Sequence, residues 1–142
     1  MSSTIEKLNV VLANANVLFT KLHNYHWHVK GPAFFQLHAK TEEYYTQIAT
    51  MYDDVAERIL QLSGTPLVTL KAILNTATIA EEEKIEFSVE YIVHAIIHDF
   101  EVMQKLFKAI SADENTDDIT CAYCDEQIGF IEKELWMLRS SL

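Results

Sequence analysis

The sequence predicts an all-α chain: a bundle of four long helices, with a short extra helix in a long crossover between the second and third. Three observations carry this expectation. Only three Gly and two Pro are spread over 142 residues, too few for a turn-rich β protein. Apolar residues recur at three-to-four spacing along four long stretches. Clusters of turn-forming residues fall only between those stretches. The length suits one domain spanning residues 1–142, large enough to bury a sizeable core.

The first helix is expected over residues 4–30, where Ile5, Leu8, Leu12, Ala15, Leu18, Phe19, Leu22 and Val29 form its stripe. Gly31 and Pro32 end it, the glycine taking the left-handed cap and the proline pre-setting the start of the next helix. The second helix carries Phe34, Leu37, Tyr44, Ile48, Tyr52, Val55, Ile59 and Leu62, and Ser63-Gly64-Thr65-Pro66 stops it. A structureless connection over 67–87 would be unusually long, so LVTLKAIL is read as a short helix and EEEK as a solvated run. Ser88 is placed to cap the third helix, with its stripe at Val89, Ile92, Val93, Ile96, Phe100, Met103, Leu106 and Ile110. Thr116, Asp117 and Asp118 open the fourth, the acids complementing the positive helix end, and Ile128, Ile131, Leu135 and Leu138 continue it. Four helices with one long crossover are the ferritin-like arrangement.

Composition excludes several classes. The formal charge of −10 repels phosphate backbones, and Lys7 is the only basic side chain before Lys21, so no basic arm exists to reach a duplex. No run of about 18 apolar residues is present to span a membrane. MSSTIEKLNVV lacks the layout of a secretion signal, so a cytoplasmic protein with reduced cysteines is expected.

The site reading starts from four histidines crowded around one turn: His23, His26, His28 and His38. The Glu-x-x-His pairs of an intra-bundle di-iron centre are missing, since Glu90 to His94 is one residue too long, and the interior is read as an ordinary apolar core. Asp53 and Glu57, four apart, project from one face of helix two. His38 lies fifteen residues before Asp53, about 22 Å along a straight helix, so these two cannot grip one ion within a single chain. His26, across the Gly-Pro turn, reaches His38 only. Each chain therefore holds two half-sites, and two copies of helix two packed antiparallel about a twofold axis would complete two sites per dimer.

The run HNYHWHVKGPAFFQLH, followed by DDVAERILQLSGTP, resembles the Dps-type mini-ferritins, and the resemblance extends through LVTL and WML across essentially the whole chain. It places ferroxidase ligands at His26, His38, Asp53 and Glu57. It implies a homododecameric hollow shell that oxidises Fe²⁺, preferably with hydrogen peroxide, at two-iron sites and stores Fe³⁺ mineral against oxidative stress. Two imidazoles and two carboxylates suit Fe²⁺, with Zn²⁺ or Co²⁺ as competitors, and Glu57 is the candidate bridge between irons. Trp27 beside His26 is read either as an oxidisable indole absorbing stray equivalents or as an interface-packing aromatic.

Asp117, Asp118, Asp125 and Glu126 fall where the family lines threefold pores. Asp118 and Asp125, seven apart, can stack as acidic rings, the alternative being dipole complementation by Asp117 and Asp118. His23 and His28 are read as surface or supporting groups, and Asp54 as a helix-surface or supporting acid. Glu42 either orients His38 or is simply exposed, and Arg58 is expected to pair with an interface acid. His94 and His98, spaced i, i+4, are read as an exposed helix face, the alternative being a clip for a cation. Cys121 and Cys124 lack the partners of a redox or zinc motif and are read as free thiols. Two other functions stay open beside the ferroxidase: direct DNA binding, against which the charge argues, and recognition as a surface or interaction protein.

Overall fold

Among the described residues, 2–142, the computed structural model contains α1 (Ser2–His28), α2 (Phe34–Gln61), α3 (Leu70–Thr76), α4 (Val89–Ala112) and α5 (Asp118–Ser140). Hairpins α1–α2 and α4–α5 face each other. Lys7 near the start of α1 bonds Asp113 just past α4, and Lys21 near the end of α1 meets Asp99, so α1 and α4 run antiparallel. Lys40 with Glu134, and Arg58 with Asp117, set α2 antiparallel to α5 in the same way. The crossover through α3 therefore travels the length of the bundle, as the sequence predicted.

The turns are made by local chemistry. Gly31 adopts φ 103°, a conformation that L side chains rarely take, and reverses the chain between α1 and α2. At the end of α2 the left-handed residue is Ser63 (φ 65°), while Gly64 lies where a Cβ would come within 2.8 Å of Ile5. Thr69 caps α3 by accepting from the Ala72 amide, so this helix starts three residues later than LVTLKAIL suggested. Ser88 caps α4 as expected, accepting from the Tyr91 amide. Asp117 alone caps α5; Thr116 is instead buried, its hydroxyl 3.0 Å from that of Thr4.

The core includes Leu8, Leu12, Leu18, Leu22, Ile48, Ile59, Phe100 and Phe107, each essentially inaccessible and each contributing roughly 1.5–3 kcal/mol of apolar burial. Phe107 replaces Leu106 on the stripe, Leu106 being half-buried. The expectation of an ordinary apolar interior is corrected. Lys21 and Asp99 form a buried ion pair at 2.6 Å, and buried Glu134 takes the Tyr44 hydroxyl at 3.0 Å and Lys40 at 2.9 Å. Charges enter this interior because each finds a counter-charge on the facing helix. EEEK is not uniformly solvated either: Glu82 turns inward to accept from Tyr25 (2.9 Å) and Tyr91 (2.7 Å), strapping the crossover onto α1 and α4.

Candidate metal centre

The Gly31 reversal brings the last turn of α1 against the start of α2, and the imidazoles of His26 and His38 stack at 3.6 Å with planes 15° apart. Their hydrogen bonds are reciprocal. His26 Nδ1 donates to the His38 carbonyl at 2.7 Å, and His38 Nδ1 donates to the His26 carbonyl at 2.8 Å. A carbonyl oxygen only accepts, so each Nδ1 carries a hydrogen, which assigns metal binding to the lone pair of Nε2. His26 is buried, with Thr41 Oγ1 at 3.2 Å from its Nδ1, and Thr41 is itself held by donating to the Leu37 carbonyl at 2.8 Å. Phe34 stacks on His38 and Tyr45 meets His26 edge-on, which limits the rotation of both rings.

Asp53 and Glu57 are exposed on α2, about 22 Å and about 28 Å of helix away from His38. Among the described residues, no three His, Cys, Asp or Glu side chains of one chain converge to hold a metal ion. The four candidate ligands are thus divided, a preorganised imidazole pair at one end of α2 and two solvated carboxylates at the other. Beside Glu57 a cavity of about 260 Å³ is lined by Asp54, Arg58, Gln61, Ile119 and Tyr123. The Tyr123 hydroxyl is buried there without a partner, and burial, followed by the Asp54 charge, raises its pKa.

The remaining candidates sort by their contacts. Arg58 donates to Thr120 at 2.9 Å, to Gln61 at 2.9 Å and to Asp117 at 2.7 Å, so its acid belongs to its own chain rather than to an interface. Asp117 is committed to that pair and to its cap, which leaves Asp118, Asp125 and Glu126 exposed on α5, Asp125 accepting from the Ser111 hydroxyl at 2.6 Å. Glu42 is exposed, and the His26 carbonyl takes the orienting role considered for it. His23 stacks on Tyr45 at 3.8 Å, and His28 Nδ1 lies 2.7 Å from the Asn24 side-chain oxygen. Trp27 is 65% exposed, and the ring it approaches is His23, at 5.5 Å. Both cysteines are free thiols; burial, then the Cys121 and Asp125 charges, pushes Cys124 up to about 12.

In the sequence Thr41 is only a hydroxyl one turn after His38, indistinguishable there from any helix-interior threonine, so its contact with His26 is visible only in the fold.

A ferritin-like domain description matches residues 5–142. The DNA protection during starvation protein (Dps) of Helicobacter pylori strain J99 is 43% identical over 141 residues, covering 98% of each chain. The chain belongs to the Dps branch of the ferritin-like family. The solved structure of CAIP from Helicobacter cinaedi superposes with a TM-score of 0.95 at 43% identity, covering 98% of this chain and 99% of that one. Dps from Vibrio cholerae O1 superposes at 0.92 with 33% identity, covering 98% and 88%, and is described as a member of a broad superfamily of ferritin-like diiron-carboxylate proteins. No helix among the described residues is long and apolar enough to cross a membrane.

Proposed function

We propose that the chain is a cytoplasmic ferroxidase that oxidises Fe²⁺ with hydrogen peroxide at sites shared between two subunits and stores the ferric product in a hollow dodecamer. Twelve chains of 16.3 kDa make a shell of roughly 200 kDa. The observation that carries this reading is the reciprocally bonded His26–His38 pair, with two Nε2 lone pairs held ready and too few ligands beside them to close a site.

Each imidazole binds a metal in its own ring plane, and rings with centroids 3.6 Å apart and planes 15° from parallel do not point their Nε2 lone pairs at one ion within a metal–nitrogen bond of about 2 Å. One ring therefore serves each of two irons, as a two-metal site requires. Asp53 and Glu57 of a second subunit supply the carboxylates, Glu57 bridging. Few protein ligands leave positions open for peroxide and water. Two Fe²⁺ give one electron each, and with two protons one hydrogen peroxide becomes two waters, releasing no hydroxyl radical. Zn²⁺ competes for the same donors.

The net charge of −10 favours protecting DNA by removing its oxidants over coating it. Anaerobic Fe²⁺ titration followed by a peroxide pulse tests the proposal. Two irons oxidised per chain, at one peroxide per pair, is the expected result. A chain that light scattering finds only as monomer under iron-binding conditions would refute it.

A further inference from the structure

On α4, His94 and His98 stand four residues apart and present exposed imidazoles on one face, one turn from each other. They line an open cleft of about 350 Å³ together with Glu81, Glu82, Tyr91 and Asp99. Asp99 is unlike its neighbours. Its carboxylate is only 3% exposed, with Oδ2 at 2.6 Å from the Lys21 ammonium, yet Oδ1 lies 3.3 Å from His98 Nδ1. A carboxylate only accepts, so His98 Nδ1 carries the hydrogen and its Nε2 lone pair is turned out on a side chain 76% exposed. An imidazole braced by a buried carboxylate is how metal-binding histidines are generally oriented and made more basic. Lys21 brings one positive charge to the cleft against three carboxylates, Glu81, Glu82 and Asp99, so the local field attracts cations.

We propose that His94 and His98 form a second metal site on each subunit, a two-imidazole clip for one borderline divalent cation of the Cu²⁺, Ni²⁺ or Zn²⁺ type. Imidazole donors without carboxylate ligands select these ions over Fe²⁺ by the usual affinity order. No third protein ligand converges on the pair among the described residues, so water completes the coordination and the ion exchanges freely. This site lies on α4, apart from the α1–α2 turn that holds His26 and His38, and its existence does not depend on the ferroxidase proposal.

Cu²⁺ is the probe, with equilibrium dialysis for stoichiometry and electron paramagnetic resonance for nitrogen ligation. Wild type is compared with His94→Gln and His98→Gln, and the same substitutions are repeated in a His26→Ala/His38→Ala background. Both residues are exposed, so helical circular dichroism and ferrous oxidation by the two single variants should be unchanged. Each substitution should weaken one Cu²⁺ per chain by at least about tenfold and reduce its nitrogen hyperfine pattern from two imidazoles to one, in either background. Unchanged copper stoichiometry and hyperfine structure in both single variants would overturn the proposal, as would the absence of nitrogen-ligated copper once His26 and His38 are replaced.

Discussion

His26 and His38 hold each other: each ring donates its Nδ1 hydrogen to the backbone carbonyl of the other, at 2.7 and 2.8 Å, and the two rings stack with centroids 3.6 Å apart. Neither imidazole needs the metal to find its orientation. Preorganisation of this kind removes the rotamer entropy that binding would otherwise cost.

The support from Thr41 is testable by Thr41→Val, which keeps the shape and removes the hydroxyl 3.2 Å from His26 Nδ1. Fe²⁺ affinity should fall by about tenfold, the low end for groups that brace a metal-bound histidine, with assembly unchanged. Anaerobic titration measures it, and wild-type affinity would show that the carbonyl suffices.

His38→Ala and Asp53→Ala should each abolish rapid oxidation. In a mixed dimer of the two variants, one site joins both defects and is dead, while the other is intact. Random pairing makes about half the dimers mixed, so roughly a quarter of wild-type activity should return on co-assembly. A site built within one chain predicts no recovery, with mixing verified by mass spectrometry.

Exposed Asp118 and Asp125 lie seven residues apart on α5. Replacing both with Asn should slow iron uptake without altering the oxidation rate at pre-loaded sites. Added salt should slow wild-type uptake as well, because steering by exposed charge is screened. Unaltered uptake in the double variant would remove these acids from the iron path.

Lys21→Met leaves the Asp99 carboxylate buried without its cation, since the pair is 2.6 Å apart and both side chains are inaccessible. Unfolding in urea should show a loss of about 3–5 kcal/mol, the cost typical of breaking a buried pair from one side. A change within experimental error would mean that water reaches Asp99.

Asp117 is held below the ordinary carboxylate range: desolvation opposes this, but the Thr120 hydroxyl and amide and the Arg58 guanidinium outweigh it. A depressed folded-state pKa adds stability above the unfolded value, about 3.9, and that stability is lost as pH falls through the folded value. Asp117→Asn preserves the cap and removes the charge. It should cost about 0.5–1 kcal/mol at pH 7, a partly exposed pair being worth little, and the gap to wild type should close below pH 4. A gap constant with pH would assign the effect to capping alone.

Much of this protein is legible in the chain itself. Apolar spacing marks which face of each helix turns inward, and Gly31, Ser88 and Asp117 mark where helices end or begin, because these are local properties of backbone and side chain. The separation of His38 from Asp53 is equally local, a matter of rise per residue, and it is enough to divide the candidate ligands between two ends of α2. What a sequence does not carry is which polar group meets which across a helix interface. Lys21 with Asp99, Glu82 with Tyr25 and Tyr91, Arg58 with Asp117, and Thr41 with His26 each join residues that periodicity places on a face without naming a partner. Those pairings follow from the relative height and rotation of packed helices, which the whole core sets at once, so only the tertiary structure decides them.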